Sequence, residues 1–371
     1  MSEIHQTDTG LLSVSIVAGP LANALVARSK LAPGILVEQP SGANPGQIIA
    51  RITSLATQPG VEGLVIQCEP ERPPMAYASL FAEGVAKVAR LQTSAFAIEV
   101  TTFLDSILDR AANPVPACFM TEQIEFVDRI VFDNGSPDFD LARSIALTLN
   151  PRAQVSRLGD VDEKWWQATP DHSFDFNASL AAAGWRRLLE DAEAKPTLDG
   201  RVTALGYSAR RPFHPERFSN FIRQKSQSVF RAKGFFWLAS RMDEVGGLNL
   251  AGADLHCSSA GSWWATRDAQ SREAEMPEHA RQQWREPFGD RRQALGLMAL
   301  EVDRETLKSA IDACLLSDAE MNQGPESWRN FPDPFPSWSH DHQAHAHSHQ
   351  HDGECDHDHD HDSDDHHCCQ H

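Results

Sequence analysis

Short apolar runs alternate with amphipathic segments through the first 160 residues of the chain. Runs of strand length lie at residues 12–18, 34–38, 63–67, 94–100 and 129–132. Between them, apolar residues recur at helical spacing over residues 47–56, 76–90, 103–110 and 141–149. Strands that alternate with helices predict an α/β domain with a mostly parallel sheet that is covered on both faces.

The pattern changes near residue 200. Residues 178–194 predict an amphipathic helix, and a charged, Pro-containing link follows it. Beyond the link, the apolar run 235–238 predicts a central strand of a small sheet, and residues 215–221 and 304–314 have helical periodicity. We therefore expect a second, α+β domain with an antiparallel sheet and helices on one face. The predicted boundaries are 11–195 for the first domain, 201–335 for the second and 339–371 for a tail.

The tail is polar throughout and rich in side chains that bind metals. It holds 12 of the 17 His and three of the seven Cys, with nine acidic residues and no Lys or Arg. Such a segment cannot bury enough apolar surface to offset the entropy of ordering, so we expect it to be disordered without a ligand. The candidate metal ligands are His340, His342, His345, His347, His349, His351, Cys355, His357, His359, His361, His366, His367, Cys368, Cys369 and His371.

Imidazole and thiolate groups suit zinc, with nickel or cobalt as alternatives, and the interleaved Asp residues attract cations and accept from imidazole N–H groups. An expression tag is the competing interpretation, but a tag is normally a uniform His run, whereas other residues interrupt this one. At about four donors per zinc, the tail has room for about three sites. The spacing fits no closed zinc finger and predicts exchangeable binding at several sites.

The charge and the cysteines of the chain indicate which classes of partner and which cellular compartment to expect. The net charge is −19, of which the tail contributes about −9, so the remainder is itself acidic; nucleic acid and anionic membranes are therefore not expected as partners. Cys68, Cys118, Cys257 and Cys314 are scattered and are expected to be reduced and mostly buried. Because the sequence shows no leader pattern and no apolar run of membrane-spanning length, we expect the protein in the cytoplasm.

The turn after the first predicted strand is where a phosphate loop would lie in such a sheet. A phosphate loop needs several glycines, a Lys for the β/γ oxygens and a Ser or Thr for magnesium. Here only Gly19 is retained, while Leu25 stands at the Lys position and Val26 at the Ser/Thr position. This sequence predicts that the loop does not bind a nucleotide in the usual way.

Several segments nevertheless resemble one family. Residues 64–70, 95–104, 121–131 and 149–153 resemble the nucleotide domain of the CobW-type P-loop GTPases, a family of zinc and cobalt metallochaperones. Residues 206–218, 229–241, 261–265, 288–293 and 312–317 closely resemble the C-terminal domain of that family. The resemblance implies a degenerate P-loop-GTPase-like sheet domain followed by a CobW C-terminal domain.

The residues on which GTPase function depends depart from the family pattern. Residues 133–136 read Asp-Asn-Gly-Ser where the resemblance calls for Asn-Lys-x-Asp, and Gln67 stands at the acidic position near magnesium. The family's Cys-x-Cys-Cys metal motif has no counterpart. We therefore expect no GTP and no catalytic or cofactor-binding residues in this domain.

Four features of the second half have plain structural interpretations. Trp237, Trp263 and Trp264 are expected to be core and sheet-surface aromatics. His214 stands at a predicted helix start. His256 and Cys257 are neighbours on a predicted strand, so their side chains should point to opposite faces, which disfavours joint chelation. Cys314 is predicted to lie in the core.

Three functions agree with these features. The first is a zinc-handling protein of the CobW family without GTPase activity. The second is an active GTP-dependent metallochaperone that delivers zinc or cobalt to a client protein. The third is an interaction module that partners an intact family GTPase or a client metalloprotein.

Overall fold

A computed structural model describes residues 10–109, 116–162, 165–166, 174–190, 200–224 and 228–338. These residues form two sheets, one parallel and one antiparallel, and each sheet has its own set of helices. The α/β class and the order of the two parts agree with the sequence prediction. The fifteen candidate metal ligands of the tail lie outside the described residues.

The first sheet has six strands, and every neighbouring pair runs parallel in the order β2-β3-β1-β4-β5-β6. The strands are β1 (Leu12–Ala18), β2 (Ile35–Glu38), β3 (Gly63–Gln67), β4 (Ala89–Ile98), β5 (Arg129–Phe132) and β6 (Gln154–Arg157). Three of the five predicted strands have the expected bounds. The sixth strand, β6, was not predicted, because it is short and polar.

Nine helices of the described residues connect and cover these strands. They are α1 (Ala22–Arg28), α2 (Pro45–Ala56), α3 (Pro74–Ala78), α4 (Leu80–Glu83), α5 (Val100–Ile107), α6 (Ala117–Phe126), α7 (Phe139–Leu149), α8 (Phe176–Leu180) and α9 (Gly184–Glu190), with a 3-10 turn at Leu158–Asp160. The start of α2 is fixed by a capping box, in which Asn44 and Gln47 each accept from the other's backbone N–H. The longest of these helices has 12 residues, and no helix in the described part of the chain could cross a lipid bilayer.

Two of the predicted helices are wrong. The predicted helix 76–90 is divided between α3, α4 and the start of β4, because the chain leaves its helix at Gly84 and joins the sheet at Ala89. The strand predicted at 94–100 accordingly begins earlier, and its last residue, Val100, starts α5 instead.

The predicted helix 178–194 is also interrupted. Its described part forms α8 and α9, and the chain turns between them at residues 181–183. A Cβ at Gly184 would lie 1.9 Å from the carbonyl oxygen of Thr148, so α9 approaches α7 as closely as two backbones allow. This close tertiary contact fixes the start of α9. Residues 191–194 lie outside the described part.

The second sheet is antiparallel, in the order β10-β9-β8-β11-β7. Its strands are β7 (Val202–Ala209), β8 (Val229–Phe236), β9 (Glu244–Ala251), β10 (Asp254–Ser262) and β11 (Gln293–Leu300). The central position of β8 confirms the expectation for the apolar run there. The strand ends at Phe236, however, so Trp237 and Leu238 lie just beyond it.

Helices from the second half cover one face of this sheet. The helices of this half are α10 (Pro215–Arg223), α11 (Ala269–Glu275), α12 (Glu278–Gln282), α13 (Arg304–Asp312), α14 (Asp318–Met321) and α15 (Pro325–Trp328), with a 3-10 turn at Trp264–Thr266. Phe218 of α10 and Leu307 of α13 are fully buried against Leu248 and Leu295 of the sheet. Their burial supplies the hydrophobic stabilisation of this face.

Helices of the first half cover part of the opposite face of this sheet. One hydrophobic cluster joins Leu149 of α7 and Leu188 of α9 with Ala204 of β7 and Met298 of β11. These residues are far apart in sequence, so no local pattern predicts their contact. The domain boundary near residue 200 stays a prediction, and the core is continuous across it.

Candidate functional site

The carboxyl edge of the parallel sheet is where such folds bind ligands, and its first turn is tightly packed. Gly19 has φ +95, and a Cβ there would lie 2.3 Å from the carbonyl oxygen of Ala97 in β4. The backbone N–H of Leu21 donates to the same oxygen at 3.0 Å. A carbonyl of the neighbouring strand therefore takes up one loop N–H that a phosphate would need.

Helix α1 begins directly after this turn. It buries Leu25, which stands where a phosphate loop would have its Lys. Leu25 is 0% exposed and packs with Val17, Val65, Ala95 and Ala97. The sequence predicts a loop over this stretch, whereas the structure has a helix. Its structure explains the apolar residue: the side chain at this position points into the core of the sheet.

The turn carries one polar contact that sequence reasoning did not single out. Asn23 Oδ1 accepts from Gln67 Nε2 at 3.0 Å, which links α1 to the end of β3. Gln67 was identified at the position where an acidic residue would hold magnesium, and here it makes a neutral amide pair. Asn23 is the one polar residue of the run 21–27, and this is the signal that the sequence offers for it.

The two residues that follow β5 also form hydrogen bonds within the fold. Asp133 accepts from the backbone N–H of Val100 at 2.7 Å, at the start of α5. Asn134 Oδ1 accepts from the N–H of Gly159 at 2.8 Å, and Arg28 donates to the Gly159 carbonyl at 3.2 Å. These contacts join Asp133 to the start of α5 and Asn134 to the turn after β6.

Metal-ligating side chains do not converge in the described part of the chain. No group of three or more His, Cys, Asp or Glu residues there could hold a metal ion. The four cysteines outside the tail are free thiols. Burial raises the pKa of Cys68, and it raises the pKa of Cys118 and Cys257 to about 11 and that of Cys314 to about 12. Protonated thiols are poor metal ligands at neutral pH.

The histidines singled out in the second half are isolated donors. His214 precedes α10 and its ring stacks on Phe331 at 4.9 Å between centroids, and burial lowers its pKa. His256 is exposed on β10, and Cys257 packs on the opposite side, as predicted for neighbours on a strand. Trp237 and Trp263 are buried in a cluster of their own, which confirms their structural role.

Comparison with known proteins identifies relatives of both halves. Residues 202–315 match the family described as "Cobalamin synthesis protein cobW C-terminal domain". The chain is 26% identical over 315 residues to the "Zinc-regulated GTPase metalloprotein activator 1" of Dictyostelium discoideum, which covers 77% of this chain and 66% of that protein. It is 33% identical over 227 residues to the "Zinc chaperone Rv0106" of Mycobacterium tuberculosis, which covers 58% of this chain and 53% of that one.

The chain therefore spans between about half and two thirds of the length of these relatives. A crystal structure of the Zn(II)-bound YjiA GTPase from E. coli aligns with 82% of this chain and 99% of that chain, at 11% identity and a TM-score of 0.32. Residues 202–315 thus match the cobW C-terminal domain family, and the sequence relatives of the chain include a zinc chaperone and a zinc-regulated GTPase metalloprotein activator.

Proposed function

We propose that this protein is a zinc-handling chaperone that collects zinc in its tail and passes it to a client metalloprotein in the cytoplasm. The observation that carries the proposal is the set of fifteen His and Cys residues that follows a CobW C-terminal domain. The names of two relatives, "Zinc chaperone" and "metalloprotein activator", support it. Zinc is then the cargo of the protein, and exchangeable binding at several sites suits a cargo.

The chemistry of the described residues supports assigning zinc to the tail. These residues bring no three metal-ligating side chains together, and the thiols at Cys118, Cys257 and Cys314 have raised pKa values. Zinc-loaded full-length protein should transfer zinc to a zinc-free metalloprotein faster than a chelator that buffers zinc at the same free concentration. Equal transfer rates would contradict a delivery role.

We further propose that the chain does not itself hydrolyse GTP. Catalysis of phosphoryl transfer depends on a phosphate-binding loop, a Lys and a magnesium ion. In this chain Leu25 lies in the core, Gln67 pairs with Asn23, and Asp133 accepts from the start of α5. The side chains at these three positions are thus occupied by contacts within the fold.

A GTP-dependent chaperone is the second candidate, and the name "Zinc-regulated GTPase" favours it. The relatives support a nucleotide-dependent activity more than they support its loss. A third arrangement, in which this chain partners an intact family GTPase, would combine both functions in two proteins.

Titration with a fluorescent GTP analogue in magnesium, together with a phosphate-release assay with and without zinc, separates these candidates. We expect neither tight binding nor turnover by the unmodified protein. Binding at about micromolar Kd, or hydrolysis stimulated by zinc, would place the GTP-dependent chaperone first. If an intact family GTPase pulls down this chain and its turnover responds to it, the third arrangement is supported.

A further inference from the structure

The face of the second sheet that looks toward the first half is covered at one end only. At the covered end, Arg231 of β8 lies beside Ala251 of β9 and Met298 of β11 in the cross-strand register. These three residues are 0% exposed beneath the helices of the first half. Phe235 lies four residues further along β8 on the same face, and there those helices no longer cover the sheet.

At the open end, one row of residues crosses all five strands. The register aligns Ser258, Gly247, Phe235, Ala294 and Ser208, from β10 to β7. Phe235 stands in the middle, and its two cross-strand neighbours are a Gly and an Ala. It is 44% exposed, and it is one of three large hydrophobic side chains exposed among the described residues. A large aromatic ring among small neighbours leaves space beside it for another apolar side chain.

Three arginines lie beyond this row. Arg292, two residues before Ala294, and Arg210, two residues after Ser208, lie just outside the ends of β11 and β7. The last pair of the β7–β11 register, Gln293 and Ala209, brings the two arginines to neighbouring positions at this edge. Arg210 donates to the carbonyl oxygen of Gln283 at 2.7 Å, and Arg285, two residues further along, is close enough to repel the Arg210 guanidinium. We call Phe235, Arg210, Arg285 and Arg292 the Phe235 face.

This group of arginines lacks a carboxylate partner. Among the described residues, none of the three guanidinium groups forms an ion pair within 4.0 Å; their hydrogen bonds go to backbone carbonyls and to the side-chain amide of Gln283. Asp290 is nearby, but its carboxylate accepts from the backbone N–H groups of Trp264 and Ala265 at 3.0 and 2.9 Å.

The proximity of the guanidinium groups has an electrostatic cost. Burial and then Arg285 lower the pKa of Arg210, and burial and then Arg210 lower the pKa of Arg292. The buried carboxylate of Asp290 offsets part of this repulsion at Arg210 and Arg292, and a further anion bound here would relieve more of it.

We propose that the Phe235 face docks an acidic segment of a partner protein, with carboxylates on the arginines and one apolar side chain against Phe235. Guanidinium groups bind carboxylates in a bidentate manner, which gives orientation as well as affinity. The apolar ring favours a protein segment over nucleic acid, whose phosphates the rest of this acidic chain repels. The surface goes beyond the proposed function, because it requires neither zinc nor nucleotide.

The test uses the full-length protein in EDTA, with a short fluorescein-labelled peptide of Asp and Glu residues that has one central Leu. Fluorescence anisotropy should show binding that weakens with salt. Arg285→Glu and Phe235→Ser should each weaken binding by about tenfold. Both side chains are exposed, so both variants should fold. The matched control is Arg223→Glu on α10, which covers the opposite face and should bind the peptide like the unmodified protein.

Other outcomes would contradict the proposal in whole or in part. No binding at low salt, or equal weakening by Arg223→Glu and Arg285→Glu, would overturn the docking surface. Equal binding of a peptide with Ser in place of Leu would remove the apolar contact from it. If a single-stranded RNA binds more tightly and shows the same sensitivity to Arg285→Glu, the face recognises nucleic acid and the proposal is wrong.

Discussion

Arg231 of β8 donates two hydrogen bonds to the carboxylate of Glu125 of α6, at 2.7 and 3.0 Å. The guanidinium side chain is 0% exposed and the carboxylate side chain 6% exposed. Arg231 also donates to Asn249 Oδ1 at 2.6 Å and to the carbonyl of Leu250. The pair therefore fixes the helix of the first half against the central strand of the second half, in a place from which water is excluded.

Breaking this pair from one side should be strongly destabilising. Arg231→Met leaves the Glu125 carboxylate buried without a cation, which typically costs about 3–5 kcal/mol. The double variant Arg231→Met, Glu125→Leu should recover much of the loss, because no charge stays buried. Urea unfolding of the three proteins measures both effects.

Lys233→Ala is the matched control for that experiment. Lys233 joins the same two elements through Glu122 at 3.3 Å, but both side chains are partly exposed. Its loss should therefore cost less than about 1 kcal/mol. A loss at Lys233 as large as that at Arg231 would show that burial is not what makes the inner pair important.

Zinc capacity should reside in the tail. Truncation after Trp338 should remove most of the bound zinc at pH 7.5 and leave the rest folded, because Arg241 holds the end of the described chain by hydrogen bonds to the carbonyls of Phe335 and Pro336. In the full chain, bound zinc should fall toward pH 5.5 as imidazoles with an ordinary pKa of about 6.5 become protonated. Elemental analysis after gel filtration measures the zinc per chain, and full stoichiometry in the truncated protein would refute this assignment.

An acid-sensitive contact holds α14 against α10. Glu320 accepts from Arg217 at 2.7 and 2.8 Å and from Ser317, and the hydrogen bonds from Arg217 lower the pKa of Glu320 to about 2. Because the folded-state pKa lies below the unfolded value of about 4.3, the contribution of Glu320 to stability is present above that value and is lost as pH falls toward 2.

Glu320→Gln should therefore lower the Tm at pH 6 but not at pH 2. The variant and the unmodified protein are compared by thermal unfolding across that range, so that the acid response common to all other carboxylates cancels. Glu326→Gln on α15, an exposed residue, provides the control and should leave the difference near zero at every pH. A constant difference between the Glu320 variant and the unmodified protein would exclude this linkage.

The sequence predicted those elements whose burial shows in the apolar pattern of their own segment. Strands β1, β3 and β5 lie inside a parallel sheet covered on both faces, so each is short, rich in apolar residues and largely buried. The docking of α9 on the second sheet depends instead on Leu188 meeting Met298. No periodicity within either segment encodes that contact.

In the candidate sites, too, some features are visible in the local sequence and others depend on contacts between distant segments. The absence of a Lys at residue 25 was visible in the sequence, but the reason for it, a side chain fully buried beneath the sheet, required the structure. The Phe235 face depends on cross-strand register, which aligns Phe235 with Gly247 and Ala294 from distant parts of the chain. A one-residue slip in register would have placed Phe235 on the opposite face.

Restoring a Lys at position 25 should damage the fold rather than create a phosphate site. Leu25 packs with Val17 and Val65 and is 0% exposed, so Leu25→Lys places an ammonium group where it has neither water nor a carboxylate. Burial of an unpaired charge lowers a Lys pKa by several units, and the variant should lose about 3 kcal/mol or more of stability at neutral pH. Ala27→Lys, on the exposed side of α1, should be nearly neutral. Urea unfolding compares the two variants, and the fluorescent GTP titration accompanies it: a stable Leu25→Lys protein that gains GTP affinity would mean that this turn keeps the capacity of a phosphate loop.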